Sequence, residues 1–247
     1  MKSFPAKQSG GPLPVLDSID FDVPDGSIVG LFGPNGSGKT TILNIIAGIE
    51  TPDGGEVSVN GGEADRPVVG YSFQNFRDVL LPWESAIDNA SFGLRAMGVS
   101  RPTALQQTLS FLETHNLTFP YENYPYQLSI GQQQTVALAR TMIQRPANVL
   151  LDEPFTALDH KARFRMQDIM VSVLREKPTA VLFVSHDVDE VLYMSDELIL
   201  LSKRPARVIQ RFPVPFERPR RHDLLASSEF ASLRREVVAA FLKEMGA

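Results

Sequence analysis

The segment Gly33-Pro34-Asn35-Gly36-Ser37-Gly38-Lys39-Thr40 constrains this chain more than any other stretch. It fits the pattern G-x-x-x-x-G-K-[ST] at every required position. It follows an apolar run, Ile28 to Phe32, that reads as a buried strand, and a helical period begins at about Lys39. A strand, a glycine-rich turn and a helix in that order aim successive backbone N–H groups and the positive end of a helix dipole at one point. The ligand such a turn holds is an anion with several oxygens. Gly33, Gly36 and Gly38 keep side chains out of its way. Lys39 is expected to reach the β- and γ-phosphates of a nucleotide triphosphate, and the Thr40 hydroxyl to ligate Mg²⁺. Pro34, Asn35, Ser37 and Thr41 complete the expected binding loop. An accidental glycine-rich turn needs neither the strand before it nor the helix after it.

Short apolar runs alternate with helix-period segments along the rest of the chain, which predicts an α/β fold with a parallel sheet. Glu56 to Val59 alternates like a strand after the turn Pro52-Asp53-Gly54-Gly55. Further strands are expected at Val68 to Phe73, Val149 to Leu151, Thr179 to Val184 and Leu198 to Leu201. Between Gln74 and Pro146 the period is mostly helical, broken by Pro82, Pro102, Pro120 and Pro125, as in a helical insertion into an α/β core. Ser227 to Met245 reads as an amphipathic helix behind a Pro- and Arg-rich link. There is no internal repeat.

Composition narrows the function classes. A length of 247 residues suits one domain with an inserted subdomain, or two domains. The formal net charge of -5 gives no global attraction to nucleic acid, which is not expected as a partner. With no cysteine there is no disulfide, thiol catalysis or cysteine-bound zinc. Met1 leads into a polar stretch, so no secretion signal is expected. The apolar runs Ile42 to Ile49 and Leu198 to Leu201 fall far short of the roughly 20 residues that span a bilayer. If the protein serves a membrane, another chain must cross it.

Val149-Leu150-Leu151-Asp152-Glu153-Pro154 is an apolar run that ends in adjacent carboxylates. Successive side chains at a strand end point in different directions. Asp152 is therefore placed to hold Mg²⁺ and Glu153 to act as general base toward an attacking water. The plainer reading is a strand entering an acidic turn. Thr179 to Ser185 forms a further apolar strand, and His186 behind it is a candidate to bond the γ-phosphate and position the water. Taken alone, that histidine reads as structural.

These pieces, in this order, resemble the ATP-binding cassette (ABC) family over nearly the whole chain. Phe73-Gln74 resembles its Q-loop, whose glutamine contacts Mg²⁺ and the water, so the resemblance assigns Gln74 to both roles. Leu128-Ser129-Ile130-Gly131-Gln132 resembles the signature motif, written LSGGQ in the family. Ala157-Leu158-Asp159 resembles the D-loop, and His186 the H-loop. Ser129 is also a plausible N-cap for a helix through Val136 to Met142, with the Gly131 N–H presented to an anion. In the family that anion is the γ-phosphate held by a second copy. The resemblance thus implies a head-to-tail dimer enclosing ATP and Mg²⁺, with Ser129, Gly131, Gln132 and Asp159 among the nucleotide-binding residues. It implies a P-loop NTPase with a RecA-like core, a small antiparallel β portion and an inserted helical subdomain. The expected divisions are a core of 1–74 and 148–215, a signature subdomain of 75–147 and a tail of 216–247.

A narrower resemblance, to importer subunits for nitrate, sulfonates or taurine, rests on Leu80-Leu81-Pro82-Trp83, Asp88-Asn89 and Leu201 to Val208. It implies transmembrane permease subunits as partners, a periplasmic or extracellular solute-binding protein acting indirectly, and a peripheral place on the cytoplasmic face of the inner membrane. The chain departs from the family pattern at Ile130, which replaces the first signature glycine, and at Thr135, where arginine is usual. The family's N-terminal strand before its adenine-stacking aromatic is expected to be absent here. Phe4 is then either the adenine platform or part of a frayed terminus. Arg218, Arg220 and Arg221 read as a solvated basic link, or as a contact for acidic lipid or the permease. Two alternatives stay open: a nucleotide-binding module that does not hydrolyse, resting on Ile130 and the missing N-terminal strand, and a soluble ABC ATPase outside transport.

Overall fold

The computed structural model describes residues 1–5, 11–59 and 69–246. In chain order its elements are β1 (Lys2–Phe4), β2 (Leu13–Leu16), β3 (Ile28–Phe32), α1 (Lys39–Ile46), β4 (Val69–Ser72), α2 (Phe76–Val79), α3 (Ala86–Ala96), α4 (Arg101–Thr114) and α5 (Ile130–Ile143). They continue with β5 (Asn148–Asp152), α6 (His160–Glu176), β6 (Ala180–Val184), α7 (Val188–Met194), β7 (Glu197–Leu201), β8 (Val208–Pro213) and α8 (Ser228–Met245). The chain forms two compact units, one of Met1–Val59 with Ala180–Ala247 and one of Asn60–Thr179. No helix of the described residues is long and apolar enough to cross a membrane.

In the first unit β3 lies between β6 and β7 and pairs in parallel with both, through Ile28↔Val181 and Val29↔Glu197 among others. Every residue of β3 and β6 is buried, which is why these strands are unbroken apolar runs rather than alternating ones. β8 extends β7 antiparallel. Gly30 is required for packing: a Cβ there would stand 2.2 Å from Val191 Cγ1 and 2.5 Å from Ser195 Oγ, so α7 rests on bare β3 backbone. β1 pairs antiparallel with β2, from Lys2↔Leu16 to Phe4↔Leu13.

Several expectations change here. Lys2–Phe4 is itself a strand, and the Ser3 N–H donates to Asp53 Oδ2 at 2.6 Å, so Phe4 is neither frayed nor without a strand. Glu56 to Val59 is not a strand; Val57 is 47% exposed, so the alternation buries nothing. Val68, the expected start of β4, lies outside the described residues. The basic link is not merely solvated. The Arg220 side chain is 2% exposed, and its Nη1 donates to the carbonyls of Leu192, Tyr193 and Ser195 at 2.7–3.0 Å. It thereby caps the C-terminal end of α7, where helix carbonyls lack intrahelical donors. Burial pulls its pKa down to about 10. Arg218 pairs with Asp196 at 2.8 Å, and only Arg221 is left 86% exposed.

In the second unit β4 and β5 pair in parallel, from Val69↔Asn148 to Ser72↔Leu151. α5 buries Val136, Ala137, Leu138 and Ala139. Gly93 of α3 lets the helices approach, since a Cβ there would lie 2.2 Å from the Gln144 side chain. Asn89, fully buried, ties the turn ahead of α3: its Nδ2 donates to Leu81 O, Glu84 O and Ser85 O, and its Oδ1 accepts from Leu81 N at 2.8 Å. The adjacent Asp88 accepts from Arg95, Arg101 and Ser85.

Candidate functional site

In the first unit the glycine-rich loop leaves the end of β3 and closes on the first turn of α1. Gly38 is the residue before that helix, at φ +106, and a Cβ on it would stand 2.8 Å from both Leu16 Cδ2 and Val15 Cγ1. Gly36, at φ +72, is likewise in the left-handed region. These are conformations that L side chains avoid, so the two glycines are fixed by the fold of the loop. Lys39 is 8% exposed and its Nζ donates to the carbonyls of Gly33 and Pro34, each at 2.9 Å. The ammonium thus bridges the mouth of its own loop. Asn35, Gly36 and Thr40 are exposed and Thr41 is half-buried. Ser37 is 1% exposed, and its Oγ has no hydrogen-bond partner among the described residues. A buried hydroxyl with no partner among the described residues, in a glycine-rich turn that opens a helix, fits a phosphate-bearing ligand.

His186 is exposed directly behind β6. The turn that carries it is fixed from both sides: Ser185 Oγ donates to Glu190 Oε2 at 2.6 Å and accepts from the Asp187 N–H at 3.1 Å. Asp187 then caps α7 through the N–H groups of Asp189 and Glu190. Phe4 lies half-buried on β1, with Lys2 Nζ 4.9 Å from its ring centroid.

In the second unit Asp152 ends β5 at 1% exposure, and Glu153 follows at 7%. Glu153 has φ +51, a left-handed conformation that a side chain of this kind adopts at a cost of about 1 kcal/mol. The Tyr71 hydroxyl is pushed well above its usual range by burial, and further by the Asp152 charge. Gln74 is exposed, two residues past β4. Among the described residues no group of three or more His, Cys, Asp or Glu side chains forms a ready-made metal cage. The Asp152 carboxylate is of the donor type that a hard divalent cation takes.

The signature segment forms the N-terminus of α5. Ser129 Oγ accepts from the Gln132 N–H at 3.2 Å while Gln132 Oε1 accepts from the Ser129 N–H at 2.9 Å, a reciprocal capping box. Gly131 differs from the glycines of the first unit. Its φ is not positive, and a Cβ there would meet nothing nearer than 3.5 Å. Ile130 is 48% exposed. A cleft of about 510 Å³ borders Ser129, Gly131, Gln132 and Asp159, with Lys161 and Arg165 on its wall. Asp159 caps α6 by accepting from the Ala162 N–H at 2.8 Å. Gln134, 2% exposed, accepts the Ala157 N–H at 3.0 Å and so ties α5 to the segment that carries Asp159. Nothing about Gln134 as a residue type singled it out beforehand; the only available signal was a polar residue on the apolar face of α5.

A family model described as ABC transporter matches residues 16–156. An uncharacterized ABC transporter ATP-binding protein of Methanocaldococcus jannaschii is 37% identical over 235 residues, spanning 93% of this chain and 85% of that protein. A taurine import ATP-binding protein of Chromobacterium violaceum is 38% identical over 236 residues, spanning 92% of this chain and 88% of that protein. Among solved structures, a dimeric bacterial ABC transporter cassette has a TM-score of 0.75 and 28% identity, over 87% of this chain and 97% of that one. The same cassette in a dimeric post-hydrolysis state, bound to ADP and Pi, matches equally well. With a phosphate loop, an acidic strand end and a capped signature helix on one chain, and relatives alike over nearly its full length, the chain belongs to the ABC transporter family, among its ATPase cassettes.

Proposed function

We propose that the chain energises an importer for a small anionic solute of the sulfonate class, taurine among them, and that it works as a homodimer with ATP and Mg²⁺. Its partners on this reading are membrane-spanning permease subunits and, indirectly, an external solute-binding protein. Its place is peripheral, on the cytoplasmic face. The observation that supports the dimer is the open N-terminus of α5: Gly131 stands there without a side chain beside a cleft bordered by Ser129, Gln132 and Asp159, although its surroundings in the chain leave room for a Cβ. A second copy's nucleotide, approaching that helix end, would meet bare backbone. The similarity to taurine import ATP-binding proteins supports the solute class.

The residues divide the work. N–H groups of the loop from Gly36 to Lys39 hold the phosphates, and Lys39 turns from the Gly33 and Pro34 carbonyls toward them. Thr40, Asp152 and Gln74 are the residues to hold Mg²⁺, which neutralises charge on the transferring phosphoryl group when bound. Glu153 takes a proton from the attacking water as general base, and His186 steadies that water. Phe4 is the candidate face for adenine. Ser129, Gly131 and Gln132 of one protomer, with Asp159 beside them, face the nucleotide of the other. Hydrolysis removes contacts made only in the closed pair and so favours opening.

The test is the mass in solution of the Glu153→Gln variant with Mg·ATP, with Mg·ADP and without nucleotide. The expected result is a dimer with ATP alone; a monomer throughout overturns the sandwich. For the solute, vesicles holding the chain with its co-purified permease are expected to take up labelled taurine in an ATP-dependent way. Uptake of neither taurine nor another sulfonate overturns that assignment.

A further inference from the structure

We propose that Arg204 is a positioning residue for the phosphate loop and that the C-terminal helix holds it there; the proposal rests on reading Gly33 to Thr40 as the nucleotide-phosphate loop. Arg204 lies between β7 and β8, 168 residues from Gly36, yet its Nε and Nη2 both donate to the Gly36 carbonyl, at 2.9 and 2.6 Å. Gly36 is exposed on the loop at φ +72, and a Cβ on it would stand 2.9 Å from Arg204 Nη2. The guanidinium therefore occupies the space beside the loop that a side chain at position 36 would take.

The consequence follows from peptide planarity. The Gly36 carbonyl and the Ser37 N–H belong to one rigid plane and point in opposite directions. Holding the carbonyl on Arg204 therefore also fixes the Ser37 N–H, which donates to the Pro34 carbonyl at 3.2 Å, and so sets the turn of the loop ahead of Gly38. A loop whose turn is set before the ligand arrives loses less entropy on binding. Arg204 also leaves a positive charge beside an anion site.

The turn carrying Arg204 is held by α8. The Lys203 N–H donates to Glu244 Oε1 and Lys203 Nζ to the Met245 carbonyl, each at 2.9 Å. The turn is closed internally by the Ser202 N–H on the Arg207 carbonyl and the Arg207 N–H on Ser202 Oγ, both at 2.9 Å. The end of α8, the turn and the phosphate loop thus form one continuous line of contacts.

The experiment is steady-state ATP hydrolysis by the purified chain as wild type, Arg204→Ala, Arg204→Lys, Glu244→Ala and Lys39→Ala, with thermal melts for each. Arg204→Ala is expected to raise KM for ATP about fivefold, the equivalent of about 1 kcal/mol, and to move KM more than kcat. Arg204→Lys keeps the charge and a donor and is expected to recover most of that loss. Glu244→Ala shifts KM in the same direction by less. An unchanged KM in Arg204→Ala overturns the proposal, as does a loss confined to kcat that lysine does not recover. If Arg204→Ala does not melt cooperatively, Glu244→Ala, which leaves Arg204 in place, decides: an unchanged KM there overturns the proposal. If Lys39→Ala hydrolyses ATP like wild type, the phosphate-loop reading fails and the proposal falls with it; normal loss in Lys39→Ala with no effect in Arg204→Ala removes the proposal alone.

Discussion

The ring of Phe241 lies 5.2 Å from that of Phe32, with the two planes inclined at 49°. Phe32 is the last residue of β3, immediately ahead of Gly33, and Phe241 sits near the end of α8. Phe230 and Val237, about three turns and one turn back along the same helical face, are 1% and 0% exposed. α8 is therefore part of the packing behind the phosphate loop, and its first half is pinned as well, through Arg234 on Asp189 at 2.7 Å.

Phe241→Ala removes the aromatic contact at the base of the loop. Phe241 is only half-buried, so the loss is expected to be about 2 kcal/mol rather than the 3–5 typical of a fully buried phenylalanine. Urea unfolding should show it as a lower midpoint with an unchanged slope. A variant as stable as wild type would mean that the two rings contribute nothing measurable.

Two glycine substitutions should behave in opposite ways. Gly38→Ala forces a side chain into φ +106 and against Leu16 and Val15, and is expected to cost about 2–4 kcal/mol together with nucleotide binding. Gly131→Ala meets only ordinary van der Waals contact and sits in a helix, so folding is expected to be unchanged or stabilised by about 0.5 kcal/mol. On the proposed dimer it should nevertheless lose ATP-driven pairing. Thermal melts with and without Mg·ATP, beside the mass in solution, separate the two. Equal pairing by Gly131→Ala and wild type would remove the argument drawn from that glycine.

What was legible in the sequence follows a physical division. The glycine-rich turn between β3 and α1 was legible because its backbone demands particular residue types in one contiguous stretch. The strands β3, β6 and β7 were legible because burial on both faces leaves an apolar run with no other use. Glu56 to Val59 misled because alternation states only that a segment is able to be a strand; a partner and a buried face make it one. Arg220 was misread for a different reason. An arginine among prolines looks solvated, and nothing local reveals carbonyls at the end of α7 some 25–28 residues earlier. Arg204 on Gly36 is the same problem at 168 residues. Contacts of that range belong to the topology and have no periodicity to read.

The last prediction concerns pH and the ion cluster of the second unit. Asp88 has a side chain only 8% exposed, and the hydrogen bonds from Arg101, above all, hold its carboxyl below the usual carboxylate range; Ser85 adds to this and burial opposes it. Because the folded value is depressed, the stabilisation from the charged form is fully present above the unfolded value, near 3.9, and is lost as pH falls through the lower folded value. Asp88→Asn keeps the shape and cannot carry the charge. Wild type is therefore expected to be more stable than Asp88→Asn at pH 7, by a gap that stays constant down to about pH 5. Below about pH 4 the gap should narrow and then close. Denaturant unfolding of both proteins across that range measures it, and a gap that is equally wide at pH 7 and at the acid end would show that the carboxylate charge on Arg101 and Arg95 is not what holds this cluster together.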